Sequence, residues 1–518
     1  MDEKRSECYE SLNKLFEKYK DNSYIQQRIY NHVVMYLPNT IDDEFKNYEK
    51  RQNLNVSLTQ EQQIFIQIFL SKNNYYYLNS NNFFYKYDGT NYFIIKEDEI
   101  IHKLLSTITN ERLLLQWKHK TKINILKQIK DRHLFTSIPE TDTIQNVLNS
   151  LSPLIFSTKN AAKYFLTIIG DNILKKNTNL IFLVNSQLKQ FLNELSDTAI
   201  ICVNHTNVMG NFMTKYHENH LYENCRLIKI NTNFSNDYWR DMLKKIGLNL
   251  LCVSVYYSKR YENSDKFIER KADEDLKTYT YYLKNNNQEN IVNEFCDQFI
   301  IDSDIQDKLE WKNIHFIWKQ FLSDQNFPNI MYTNNLKNIL KSKYTYDENN
   351  DLFYGITSKY LPIYKEFINF WNSTIKITTD LSNNSFYNEL EIDELCFLFK
   401  IRTKQNISEE VVFKILTHFF PHIEIIDNKF ILNVTSSMWN KISDITGSFH
   451  FIKDKIQNNS NNSALISLDD MYDHYKHCCL HNSICLIVSK RYFENYIYYK
   501  LSDFIIYDKF IKNDWIYS

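Results

Sequence analysis

Five residues within positions 202–225 carry the densest metal-ligand chemistry of the chain: Cys202-x-x-His205, His217-x-x-His220 and Cys225. Zinc takes about four nitrogen or sulfur donors, and both pairs have ligand spacing. The competing reading, which is preferred, is a buried cysteine in an apolar run with histidines on the surface, since free cysteine is often buried. A second group comprises Asp473-His474, His477-Cys478-Cys479, His481 and Cys485. It sets His474, His477 and Cys478 on one helical face but lacks a second spaced cysteine pair. No Gly-x-Ser-x-Gly elbow occurs, so serine hydrolase chemistry has no signature. Asp469-Asp470 and Asp273-Glu274-Asp275 read as helix-start charges rather than Mg²⁺ ligands.

Phosphate chemistry of the P-loop kind needs Gly-x-x-x-x-Gly-Lys-Ser/Thr, whose backbone amides wrap the phosphates. The chain has six glycines, and none precedes a lysine. The nearest stretch, Gly170-Asp171-Asn172-Ile173-Leu174-Lys175-Lys176, lacks the second glycine and the hydroxyl residue. A working phosphate loop keeps its glycines because other residues lack their backbone freedom. The expectation is no catalytic residue, no cofactor and a role in binding.

Charge is balanced, 61 Lys+Arg against 62 Asp+Glu, so nucleic-acid binding must come from local patches. Lys490, Arg491 and Lys500 fall on one C-terminal helix, with Lys509 and Lys512 on the hairpin that follows. Lys414 and Lys429 hold the same places one block earlier. Arg112, Lys118, Lys120 and Lys122 surround Trp117, where cations release counterions from phosphate and an aromatic can stack on a base. The alternative use of such helix-plus-hairpin blocks is protein docking.

The elements that position these residues follow from periodicity. Residues 1–70 read as helical, with Leu12, Leu15, Phe16 and Tyr19 on one face. Two β-rich runs flank Asp88-Gly89, which predicts a type I′ hairpin over 83–95. Helices are expected at Asp98–Thr107 and Arg112–Lys130. Four short runs, Asn179–Val184, Ala199–Val203, Arg226–Ile230 and Leu250–Tyr256, alternate with helices and predict a mainly parallel α/β unit. Trp311, Ile314, Trp318 and Phe321 form one helical stripe, and Leu361, Tyr364, Ile368 and Trp371 another. Two C-terminal blocks then share a layout of helices and a hairpin, with Ser408, Ser467 and Ser489 as N-caps, which suggests winged-helix modules.

The hydrophobic fraction is 43% and the aromatic fraction 15%, enough for several cores. The longest apolar stretch, Leu248–Tyr257, is short of the ~20 residues that cross a bilayer. No secretory signal opens the chain, and nine scattered cysteines read as reduced thiols. Abundant Asn, Lys, Ile, Tyr and Phe have the texture of an A+T-rich genome.

Three stretches together resemble the D5-type primase-helicases of large DNA viruses. They are Phe84-Tyr85-Lys86-Tyr87-Asp88-Gly89 with the helices after it; Cys225-Arg226-Leu227-Ile228-Lys229-Ile230 with Leu250–Tyr256 and Tyr261; and Leu468-Asp469-Asp470-Met471-Tyr472 with Tyr475 and Val488-Ser489-Lys490-Arg491-Tyr492-Phe493. The resemblance implies a helicase-associated domain, an AAA+-like core and a terminal winged helix. Without its phosphate loop, such a relative would be degenerate, without helicase turnover. The expected fold is α+β and multidomain. Its parts are an N-terminal helical and hairpin domain (1–148), a degenerate AAA+-like α/β core (149–300), a helical connector (301–378) and winged-helix-like modules at 379–455 and 464–518. The implied role is a viral accessory of DNA replication or transcription, in the host cytoplasm or virion, with nucleic acid and viral proteins as partners and no membrane. A structural or host-interaction scaffold and a diverged NTPase are the alternatives.

Overall fold

The computed structural model describes residues 2–108, 113–176, 179–231, 236–304, 306–378, 388–458, 465–481, 486–507, 509–512 and 514–515. The fold is α+β, 65% helix and 12% strand, with several small sheets. Residues 1–288 with 325–333 form one unit, and residues 289–324 with 334–518 form the other. No helix among the described residues is long and apolar enough to cross a membrane.

The first unit opens with α1 (Asp2–Lys18), α2 (Ser23–Tyr30), a π-helical turn at Asn31–Tyr36 and the long α3 (Leu37–Lys72). A three-stranded antiparallel sheet follows: β1 (Asn74–Leu78), β2 (Phe83–Tyr87) and β3 (Tyr92–Ile95), in that order. The β2–β3 connection is not the expected two-residue turn. Tyr87 pairs with Tyr92, so four residues make the loop, and of these only Gly89 takes positive φ. The Asp88 carboxylate replaces the missing turn geometry by accepting from the amides of Thr90 and Asn91 at 2.8 and 2.7 Å. Then come α4 (Glu97–Ile108), α5 (Lys118–Lys130), α6 (Thr141–Leu151) and α7 (Lys159–Ile173).

The α/β part holds β4 (Ile181–Leu183), α8 (Ser186–Val203), β5 (Phe212–Met213), β6 (Cys225–Leu227) and α9 (Asn236–Tyr261). Its sheet is parallel, as expected, but has three strands in the order β5-β4-β6. Two expected strands are helical: Ala199–Val203 ends α8, and Leu250–Tyr256 lies inside α9. Leu250–Tyr256 is an apolar run buried on more than one side, and Ala199–Val203 is a short apolar run with Ile200 and Ile201 exposed; in neither can periodicity separate strand from helix. Asn204, left-handed at φ 51, terminates α8. The first hairpin seals that end, since Ser80, Asn81 and Tyr85 donate to the carbonyls of Val203 and Cys202.

Short helices α10 (Ser264–Lys271), α11 (Glu274–Thr280) and α12 (Tyr282–Asn285) complete this unit. Arg226, 3% exposed, ties β6 to α10 through two hydrogen bonds to Asp265 at 2.9 and 2.7 Å. This fork-to-fork geometry is the strong form of a charge-assisted pair.

The second unit repeats one design three times. The first copy is α13 (Gln288–Phe299), β7 (Ile301–Asp302), β8 (Lys308–Glu310), α14 (Trp311–Asp324), α15 (Thr333–Lys343), β9 (Tyr346–Asp347), β10 (Leu352–Tyr354) and β11 (Ile356–Thr357). The second is α16 (Leu361–Thr374), β12 (Ile375–Ile377), β13 (Glu389–Glu391), α17 (Ile392–Thr403), α18 (Glu409–Phe419), β14 (Ile425–Ile426), β15 (Phe430–Leu432) and β16 (Val434–Ser436). The third is α19 (Lys441–Asn458), β17 (Leu465–Ser467), α20 (Leu468–His481), α21 (Lys490–Lys500), β18 (Ile505–Ile506) and β19 (Phe510–Lys512).

The register is the same in each copy. The three sheets run β8-β10-β9, β13-β15-β14 and β17-β19-β18. Phe353 pairs with Leu309 and Tyr346, Ile431 with Leu390 and Ile425, and Ile511 with Ile466 and Ile505. In the second helix of each copy, Ile314, Leu395 and Met471 are buried at one shared offset, and Trp318, Phe399 and Tyr475 at another. Gly355 and Asn433, both at positive φ, occupy equivalent places before β11 and β16. Residues 301–378, expected as a helical connector, therefore hold strands and most of the first copy. The expected linker at 458–463 lies almost wholly outside the described residues.

Candidate nucleic-acid interface

The third helices of the second and third copies are among the elements that the sequence nominates for nucleic acid. Each is packed into the copy before it. At the first joint, α18 lies on α14. Lys414 donates to Ser323 at 3.2 Å and pairs with Glu410 at 2.7 Å. Lys312 reaches the Phe419 carbonyl, and the Phe316 ring contacts Tyr364, His418 and Phe419. His418 Nε2 lies 3.0 Å from the Lys312 carbonyl, and its Nδ1 lies 3.1 Å from the Lys319 ammonium. A carbonyl only accepts and an ammonium only donates, so the ring is neutral with its proton on Nε2.

Burial holds His418 below the ordinary histidine value, helped by Lys319 and Lys312. Burial first, then Lys319 and His418, lower His315 to about 4. A base depressed in the folded state contributes stability above its unfolded pKa of about 6.5 and loses it as pH falls. The first joint is thus expected to loosen between about pH 6.5 and 4. Urea melts read by fluorescence of Trp311, which stacks on His315, should show this. The fall should be shallower in His418→Gln.

At the second joint, α19 and α21 meet the β13 edge. Glu389, Glu391, Glu394 and Lys441 are each less than a tenth exposed. Lys441 Nζ binds Glu394 at 2.5 Å and the Glu389 carbonyl at 3.0 Å. Arg491 approaches Glu389 at 3.5 Å and stacks 4.0 Å over Phe430. Lys429 pairs with Glu391 at 2.7 Å. Burial raises Glu389 and Glu394, whereas hydrogen bonds from Lys429 and Ser489 outweigh burial at Glu391 and lower it. A cavity of about 350 Å³ adjoins these groups, lined in part by Lys376, Ser436, Trp439, Lys441 and Tyr492. Lys490 pairs with Asp469 and Glu494.

Four of the seven cations nominated on the two C-terminal blocks are therefore engaged within the array: Lys414, Lys429, Lys490 and Arg491. Lys500, Lys509 and Lys512 are exposed and make no ion pair among the described residues. Arg112 lies outside the described residues.

The densest free positive charge is on α5. Thr121, Ile125, Leu126 and Ile129 bury its inner face, and Gln62 fixes Thr121 through a 2.8 Å hydrogen bond. The helix carries Lys118, Lys120, Lys122, Lys127 and Lys130 and no carboxylate. None of the five forms an ion pair among the described residues, and Lys120, Lys127 and Lys130 are exposed. Lys120 sits 3.8 Å over the half-buried Trp117 ring, and Ile123 lies 53% exposed among the lysines. The sequence reading took in Lys118, Lys120 and Lys122 but stopped short of Lys127 and Lys130. The signal it missed is a helix of lysines with no acid.

The candidate zinc residues do not converge. Among the described residues, no three His, Cys, Asp or Glu side chains gather to hold a metal ion. Cys202 and His205 belong to the capped end of α8, where His205 Nε2 contacts the Ile173 carbonyl at 3.0 Å. His217 and His220 stack edge-on at 5.5 Å. Cys225 is buried at the start of β6, its thiol pushed up to about 11 by burial and bonded to the Leu221 carbonyl. In the second group Cys478 and Cys479 are core residues of α20, and Cys485 lies outside the described residues. The acidic pairs act at helix starts: Asp273 caps α11, and Asp470 closes a cap with Ser467.

Gly170 is not a phosphate-loop glycine. It lies inside α7 against α9, where an added Cβ would stand 2.1 Å from the Ser254 carbonyl oxygen. Lys176 caps the end of α9 by donating to the carbonyls of Ser258 and Glu262 at 2.9 and 2.8 Å. Comparison with family models, curated proteins and solved structures finds no match to this chain.

Proposed function

We propose that the chain is a non-enzymatic nucleic-acid-binding accessory protein that grips phosphate backbone along α5 without reading bases. The observation that carries this is the contrast in charge use. The five lysines of α5 form no ion pair among the described residues, while the third helices of the second and third copies are held by their neighbours. Backbone contact supplies affinity, and sequence reading needs side chains at base edges. The three helix-and-hairpin copies are winged-helix modules on this reading, stacked as an interaction scaffold. The D5-type resemblance supports a role in viral replication or transcription, with the phosphate loop lost.

Fluorescence anisotropy of the full chain with a 30-base-pair duplex tests the proposal. Three phosphate contacts predict a roughly 40-fold loss of affinity from 50 to 200 mM salt. The triple variant Lys120→Glu, Lys127→Glu, Lys130→Glu should abolish binding without moving the melting temperature. Absence of binding by the wild-type chain at 50 mM salt would overturn the reading. A protein-docking scaffold is the second reading, favoured by the occupied third helices.

A further inference from the structure

The N-terminal helices hold an unusual amount of unsatisfied apolar surface. None of residues 2–57 is buried, and every residue from 34 to 57 is exposed. Upstream, the half-buried Leu12, Phe16 and Tyr19 share this condition with Ile25, Ile29 and Val33. Beyond them the helix stands alone. Val34, Leu37, Ile41, Phe45, Tyr48 and Val56 lie 47–60% exposed. Their spacing of three and four residues gathers them, with Gln52, into one stripe of a helix turning 100° per residue. An isolated helix of this kind is marginal in water, and a patch of this size marks an interaction site.

We propose that this stripe pairs with the same stripe of a second copy, antiparallel. Charge selects the occupant. Residues 34–57 carry Asp42, Asp43, Glu44 and Glu49 against Lys46, Lys50 and Arg51, which is near neutrality and gives no attraction for a phosphate polymer. Charge also selects the direction. In a parallel pair, Glu44 of one helix faces Glu49 of the other, a like-charge contact. In the antiparallel pair, Phe45 meets Tyr48 and Leu37 meets Val56. Glu44 then comes beside Arg51, twice by symmetry, which offsets the like-charge approach of Asp42 to Glu49 in the same register. Gln52 opposite Ile41 leaves one polar position in the seam.

Sedimentation equilibrium of the full chain at micromolar concentration tests this. The wild type should be a dimer. Ile41→Lys with Phe45→Lys should give a monomer with an unchanged melting temperature, because both side chains are more than half exposed. Glu44→Arg should raise the dimer dissociation constant roughly 10-fold, and adding Arg51→Glu should restore it. A monomeric wild type, a dimer that survives Ile41→Lys with Phe45→Lys, or a charge swap that fails to restore pairing would each overturn the proposal.

Discussion

Lys441→Met is expected to lower the stability of the second unit by about 3–5 kcal/mol, the cost of stranding a buried charge. The ammonium begins α19 and is 4% exposed, against a Glu394 side chain 7% exposed. It also lies over the rings of Trp439 and Tyr492, so no water replaces it freely. One Glu394 oxygen already lacks a hydrogen-bond partner, and removing Lys441 strips the other of its cation. Restoring neutrality should recover much of the loss: Lys441→Met with Glu394→Gln should stand well above Lys441→Met alone. The pH dependence has a definite sign. Burial raises Glu394 above its ordinary value of 4.5. A carboxylate raised in the folded state contributes stability below its unfolded pKa and loses it as pH rises through the folded one. Lys441→Met should therefore regain stability on acidification toward pH 4.5. Urea melts followed by Trp439 fluorescence measure all three.

Gly170→Ala should destabilise the first unit by about 3 kcal/mol or more, the upper range for overpacking a core. Helix propensity alone predicts the opposite, a gain of ~1 kcal/mol for alanine over glycine in a helix interior. The packing decides. The new methyl would sit 2.1 Å from the Ser254 carbonyl oxygen and 2.7 Å from Ser258 Cβ. The first of these is backbone inside α9 and cannot rotate away. The next residue, Asp171, is fully buried and binds Ser258 and the Ser264 amide, each at 2.6 Å, so α7 cannot slide to make room. A thermal melt of the variant reads the sign directly. A raised melting temperature would mean that the α7–α9 contact is looser than described.

Local chemistry was legible in the sequence. Ser408 and Ser489 cap their helices through the amides of Val411 and Tyr492, and Ser467 with Asp470 does the same. Asp427-Asn428 turns between β14 and β15 with both residues at positive φ, and Lys429 completes a three-residue loop between the paired Ile426 and Phe430. Position within the tertiary structure was not legible. Leu250–Tyr256 looks like a strand because α9 is buried along that run. The first module escaped notice because its Trp311 and Trp318 stripe reads as a plain helix, while its short strands β8 and β10 have no strong turn pair between their partners. The fate of the cations was the least legible part. Arg491 and Lys441 find carboxylates far away in sequence, so a basic helix on paper is a joint in the folded chain. The helix α5 reads the same in both, because none of its lysines forms an ion pair among the described residues.

Hydrogen–deuterium exchange of the full chain, with and without a saturating 30-base-pair duplex in low salt, tests the central claim most directly. Amides and flanks of residues 118–130 should gain protection, with residues 409–419 and 490–500 unchanged. Protection confined to those two third helices, with α5 unaffected, would contradict the account.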